Sequence, residues 1–219
     1  MVASDERPKD AVGRGLRDEI VRAGRALKAA GLSPGTTGNM SVSHGSTIIC
    51  TPTGADLAAL IAEELSIINR AGEHVGGHRP TKESFMHAEM YRAAPSITAV
   101  IHLHSSYATA FSCLEDLDPD DAIRPVTPYL TMRAGQVSVI PYFPPGDEGI
   151  AAAIGGRAAH GSRAMLLANH GSLVGGNSLA EATSIAQELE EAAKLYFITT
   201  GHAVRFLNLE QRAALWAEA

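Results

Sequence analysis

The stretch from Thr98 to His104 most constrains the fold, because it is β-branched and largely apolar and closes on two histidines separated by Leu103. Such a run reads as a buried strand, and a strand sends residues two apart to the same face. His102 and His104 therefore project together, while Ile101 and Leu103 go to the opposite face. A buried strand of this kind belongs in a sheet that is covered by other elements.

The rest of the chain supplies that cover. Residues 11–30 carry Leu16, Ile20, Ala23 and Leu27 at helical spacing, with Gly31 as a stop. Met40 to Cys50 reads as a hairpin closed near His44-Gly45-Ser46, and residues 63–79 as short strands around a turn at Gly72. A helix is expected over 82–93, capped near Thr81 and broken by Pro95. Residues 106–114 read as helix, 137–142 and 165–168 as strands, and 179–200 as a long helix with Ile185, Leu189 and Leu195 on its apolar face. Helices and strands interleave without a strict strand-helix-strand rhythm, and several connections suit hairpins. The expected fold is therefore a three-layer α/β/α domain with a mixed, largely antiparallel central sheet. A chain of 219 residues fits one domain over 1–219, with residues 1–10 as a polar tail.

Composition narrows the functional classes. With 45% hydrophobic and 19% charged residues the chain is globular, and a net charge of -6 argues against a nucleic-acid or acidic-membrane partner, which would need clustered Lys and Arg. The N-terminus lacks the apolar core of a signal peptide and no run approaches the ~20 apolar residues of a membrane span, so a cytoplasmic protein is expected. Cys50 and Cys113 each lie in an apolar stretch and read as buried, inert thiols.

Two imidazoles on one strand face can share a cation, and Zn²⁺ suits them, because catalytic zinc sites use three protein ligands and leave one position open. His170 is the best third ligand, since it sits where the apolar run 165–168 meets Gly171. A single histidine here would read as a core residue bonded to a carbonyl. Two at strand spacing, with a third at a strand end, turn the balance toward metal. His44, His74, His78, His160 and His202 read as surface residues. His87, four residues after Glu83, shares its helical face and could support the site from behind.

With these residues located, the chain resembles the class II aldolases of the fuculose-phosphate aldolase and adducin superfamily, from about Asp18 to Phe206. Gly38-Asn39-Met40-Ser41 resembles the family's Gly-Asn-x-Ser loop, Thr51-Pro52-Thr53-Gly54 its Thr-Pro-(Thr/Ser)-Gly turn, and Pro80-Thr81-Lys82-Glu83 its Pro-Ser-Ser-Glu segment. His102-Leu103-His104 and Asn169-His170-Gly171 match its zinc ligands. Any one motif is weak, whereas five in order are specific. The resemblance implies that His102, His104 and His170 bind one Zn²⁺ per subunit. It makes Glu83 the catalytic acid/base, able to take the fourth coordination position in the resting enzyme. Asn39, Thr53, Gly54 and Thr81 would hold a substrate phosphate, which suits glycines that let backbone N–H groups approach an anion. It also implies a cyclic homotetramer with sites between subunits, where Tyr129 would reach a neighbour's substrate.

Lys82 departs from the aldolase pattern, which has a second Ser there, and can bring a positive charge to a phosphate or a carboxylate. Together with residues 113–114, the block from Arg124 to Tyr129, Met132-Arg133, Pro141-Tyr142 and Pro145-Gly146-Asp147, it resembles the 3-oxo-tetronate 4-phosphate decarboxylase branch. That branch implies decarboxylation of a sugar-acid phosphate to dihydroxyacetone phosphate and CO₂ through a metal-stabilised enediolate. The alternatives are a sugar-phosphate aldolase or epimerase and, in another class, an adducin-like scaffold lacking metal ligands. Lys82 with the Arg124 and Arg133 region separates the first from the decarboxylase. The retained ligands and Glu83 argue against the second.

Overall fold

Alternation along β5 (Ala99–Leu103) decides the layering: Ala99, Ile101 and Leu103 enter one apolar cluster, and Val100 enters another on the opposite face, which is also that of His102. The computed structural model describes residues 8–144 and 146–216. Besides β5 it contains β1 (Asn39–His44), β2 (Thr47–Cys50), β3 (Ser66–Asn69), β4 (His74–Gly76), β6 (Val137–Ile140), β7 (Ala164–Leu167) and β8 (Gly171–Gly176). They form one sheet in the order β4-β3-β2-β1-β5-β8-β7-β6. β6 and β7 pair in parallel, and the other neighbours are antiparallel. This is the expected mixed, largely antiparallel sheet between helical layers.

The helices are α1 (Pro8–Ala29), α2 (Ser84–Ala93), α3 (Ser106–Ser112), α4 (Pro128–Ala134), α5 (Gly149–Ala159), α6 (Leu179–Thr199) and α7 (Leu209–Trp216). On one face α6 crosses β5 and β8 and packs against α1, α3 and α4, burying Ile185 and Leu189 among Ile101, Leu103 and Val174. On the other face α2 and α5 pack together over the sheet, with Met86, Met90 and Ile154 against Val100, Leu167 and Leu173. No helix of the described residues is long and apolar enough to cross a membrane.

Several expectations shift. Residues 8–10, which read as tail, begin α1, while the rest of that segment, 1–7, lies outside the described residues. β8 is absent from the sequence pattern, because Gly171, Gly175 and Gly176 give it poor strand propensity. Those glycines instead allow close packing: a Cβ on Gly175 would lie 2.6 Å from Ile97 Cδ1, and one on Gly176 2.6 Å from the Ala182 nitrogen. α4, α5 and α7 are likewise additions to the expected elements. Cys50 is buried, but Cys113 is exposed, because it lies just past the end of α3 rather than inside its buried stripe.

Candidate metal centre and substrate cavity

Antiparallel pairing sets the first half of the centre. Asn39 on β1 stands directly opposite His102 on β5, so both side chains face α2. β5 ends at Leu103, one residue before His104, yet the two rings still converge, with His102 Nε2 and His104 Nε2 2.8 Å apart. His170 arrives from the turn between β7 and β8, where Asn169 has a φ of 57°, a left-handed conformation that Asn tolerates better than most residues. The three ring centroids lie 4.8 Å from one another, at interplanar angles of 70–75°, so the imidazoles surround one point.

Glu83 closes the arrangement from α2. It occupies the cap position of that helix, with φ -98° and ψ 10°, but makes no side-chain cap bond. Its carboxylate turns instead to the histidines, with Oε2 3.4 Å from His102 Nε2 and Oε1 3.2 Å from His170 Nε2. The donor atoms of these four residues all lie within 4.8 Å of one another.

The donor set fits a divalent cation. His102 Nδ1 donates to the Ser172 carbonyl at 2.8 Å, so the lone pair of its Nε2 points into the cluster. Two imidazole nitrogens meet as closely as those of His102 and His104 only across a shared proton or cation. Donors around a tetrahedral cation with bonds of about 2.0–2.1 Å stand about 3.3 Å apart, which is the spacing of Glu83 from His102 and His170. Burial pushes His102 down to about 3, with the Glu83 charge opposing, and burial also lowers His104, so both rings are neutral and ready to ligate near neutrality. Burial alone would raise Glu83, but its bonds from His170 and Asn39 outweigh that and hold the carboxyl below its ordinary range.

Beside the centre lies a cavity of about 700 Å³. Gly38, Asn39, Thr53, Gly54, Thr81, Lys82 and Glu83 line it, as do His104 and His170. The turn at Thr53-Gly54 and the segment Thr81-Lys82 are held side by side: Thr53 N donates to the Arg79 carbonyl at 3.0 Å and Thr81 N to the Thr51 carbonyl at 3.1 Å. Gly54 has a φ of 70° and Gly38 a φ of 82°, so both turns need glycine. Tyr142, Phe143 and Pro144 also line it, and the sequence did not reveal them as part of the site. Among the described residues lining the cavity, Lys82 is the one Lys or Arg. Arg124 and Arg133 do not line it; Arg124 stacks on Phe206, 4.2 Å from the ring centroid.

His87 is wholly buried rather than exposed like His74, His78, His160 and His202, whereas His44 is half-buried. His87 Nε2 donates to Asn39 Oδ1 at 2.6 Å, and Asn39 Nδ2 donates to Glu83 Oε2 at 2.6 Å. Asn39, expected to hold phosphate, thus has its carboxamide directed to Glu83 and His87. Helical spacing pointed to His87, but the connecting role of Asn39 needed the register of β1 against α2.

The family model described as Class II Aldolase and Adducin N-terminal domain matches residues 18–197. The 3-oxo-tetronate 4-phosphate decarboxylase of Haemophilus influenzae is 44% identical over 193 residues, 88% of this chain and 91% of that protein. The L-fuculose phosphate aldolase of Methanococcus maripaludis is 34% identical over 184 residues, 82% of this chain and 95% of that one. A crystal structure of a putative aldolase/epimerase/decarboxylase from Klebsiella pneumoniae superposes with a TM-score of 0.90 at 44% identity, covering 93% of this chain and 98% of that one.

Proposed function

The chain belongs to the class II aldolase and adducin family, and on that footing we propose that it is a Zn²⁺-dependent lyase that decarboxylates a 3-oxo-tetronate 4-phosphate, leaving dihydroxyacetone phosphate and CO₂. The observation that carries this reading is the union in one cavity of the three-histidine and glutamate cluster, small neutral donors and the Lys82 ammonium. A phosphate and a carboxylate on one small substrate call for that combination.

A 3-oxo acid loses CO₂ readily when the electron pair left on C2 can spread into the C3 carbonyl. His102, His104 and His170 would hold a divalent cation, which would supply Lewis acidity to stabilise the resulting charge. Thr53, Gly54 and Thr81, with the Gly38-Asn39 turn, present donors to the phosphate, and Lys82 adds a charge-assisted contact to one of the two anionic groups. Glu83, at the edge of the cluster, carries a proton from water to C2, which balances the proton that decarboxylation consumes.

The 34% identity to an L-fuculose phosphate aldolase favours a second reading, an aldolase that releases an aldehyde where the decarboxylase releases CO₂. Incubation of the zinc-loaded protein with 3-oxo-tetronate 4-phosphates, following CO₂ and dihydroxyacetone phosphate, separates the two. Absence of CO₂, with cleavage of a ketose 1-phosphate to dihydroxyacetone phosphate and an aldehyde, would establish the aldolase. An adducin-like scaffold has no use for the donor cluster.

The same proposal places the protein in the cytoplasm as a cyclic homotetramer. Exposed Tyr129 and Met132 on α4, and Tyr196 and Ile198 on α6, supply apolar surface for such contacts. Tyr129 would then reach a neighbour's cavity.

A further inference from the structure

Glu83 is the outer end of a buried polar ladder. Glu83, His87 and Tyr91 recur every four residues on α2, opposite Asn39 and Ser41 two apart on β1. Four helical residues rise about 6.0 Å and two strand residues about 6.6 Å, so the rungs stay in register. Asn39 Nδ2 donates to Glu83 Oε2 at 2.6 Å, and His87 Nε2 donates to Asn39 Oδ1 at 2.6 Å. Ser41 Oγ donates to His87 Nδ1 at 2.7 Å. The Tyr91 hydroxyl, 2.7 Å from Ser41 Oγ, donates to the Ser41 carbonyl at 2.9 Å.

The direction of each bond is forced. A carboxylate only accepts, so the Asn39 amide nitrogen faces Glu83 and its oxygen faces His87. That oxygen only accepts, so the single proton of neutral His87 sits on Nε2, and Nδ1 must accept from Ser41. Asn39, Ser41, His87 and Tyr91 are all buried, and no member can turn without leaving a polar atom unpaired. The Asn39 carboxamide is thereby locked with its N–H groups toward Glu83.

We propose that Asn39 and His87 are positioning residues for Glu83, the ladder holding one carboxylate oxygen so that the other stays aimed at the histidine cluster and the substrate carbon. This rests on the assignment of Glu83 as acid/base, and it gives the Asn39 side chain a role other than the phosphate binding proposed for the backbone of the Gly38-Asn39 turn.

Steady-state kinetics on the zinc-loaded protein separate the roles. As a positioning residue, Asn39→Ala lowers kcat by roughly tenfold to a hundredfold, the effect of losing a bond to a charged group, and leaves KM within about threefold. A phosphate ligand would instead raise KM with kcat near the parent value. His87, which cannot reach substrate, gives the same kcat loss as His87→Leu, and His87→Gln, which keeps an N–H at the Nε2 position, recovers most of it. In crystals of metal-free Asn39→Ala protein the Glu83 carboxylate occupies more than one position. A KM effect alone in Asn39→Ala, or a single parent-like Glu83 position in its crystals, overturns the proposal even if His87→Leu does not fold. Glu83→Gln serves as control: parent-like turnover there removes the acid/base reading, whereas an inactive Glu83→Gln beside a fully active Asn39→Ala removes only the ladder.

Discussion

Glutamine at position 83 would keep the shape of the side chain and its bond from Asn39 while losing the ability to move a proton. Glu83→Gln should therefore retain most of its metal, since three imidazoles remain, and lose about 10²–10⁴-fold in kcat, the usual worth of a general acid/base. Metal analysis beside turnover checks this, and a near-parent rate removes Glu83 from the chemistry. Lys82 lines the cavity but is exposed, so water screens its charge. Lys82→Ser should lower kcat/KM for the oxo-acid phosphate by about tenfold, the low end for a charge-assisted bond, with metal content unchanged. An unchanged kcat/KM would make Lys82 a surface residue. At this scale the sequence was most legible where chemistry follows local geometry. Two histidines at strand spacing announce rings that converge, and His87 announces its helical face. The stacking of Arg124 on Phe206 was not legible, because the two are remote in sequence and only the fold brings them together.

Strands and helices were legible where periodicity is strong and illegible where glycine serves packing. β8 is the clearest case, for its glycines lower its strand propensity, yet Gly171 lets its backbone approach the end of β5. At Gly171 a Cβ would lie 2.4 Å from the Leu103 carbonyl oxygen and 3.2 Å from His104 Cδ2. Gly171→Ala should displace the strand that presents His104, destabilising the protein by about 1–3 kcal/mol as overpacking does. It should also weaken metal binding by about tenfold to a hundredfold, the usual cost of disturbing groups behind the ligands. Gly156 is the contrast, exposed on α5 with nothing within 4 Å of an added Cβ. Gly156→Ala should raise stability by about 0.5–1 kcal/mol, because alanine loses less backbone freedom in a helix. Denaturant titration and metal titration read both variants, and equal effects at the two positions would contradict the packing argument.

The layered plan was legible because hairpin-length connections and helical periods occur in one chain. The strand order was not, since it depends on distant pairings, such as Asn39 on β1 with His102 on β5, that no local pattern encodes. That order is what assembles the centre. Its four donors come from the start of α2, the end of β5 and the turn between β7 and β8, and they meet only when the whole sheet has formed. A cation bound there is bound by the native state and not by the unfolded chain, so it stabilises the fold by mass action, by about 4 kcal/mol at a thousandfold excess over Kd. For a chain of 219 residues each kcal/mol moves Tm by about 2–4 °C, so chelation should lower Tm by about 8–16 °C. His104→Ala should abolish the difference between metal-loaded and chelated samples, because it removes one of the ligands that join β5 to the other two segments. A Tm that chelator leaves unchanged in the parent would mean that these side chains do not hold a cation under those conditions, and both the centre and the lyase chemistry built on it would have to be given up.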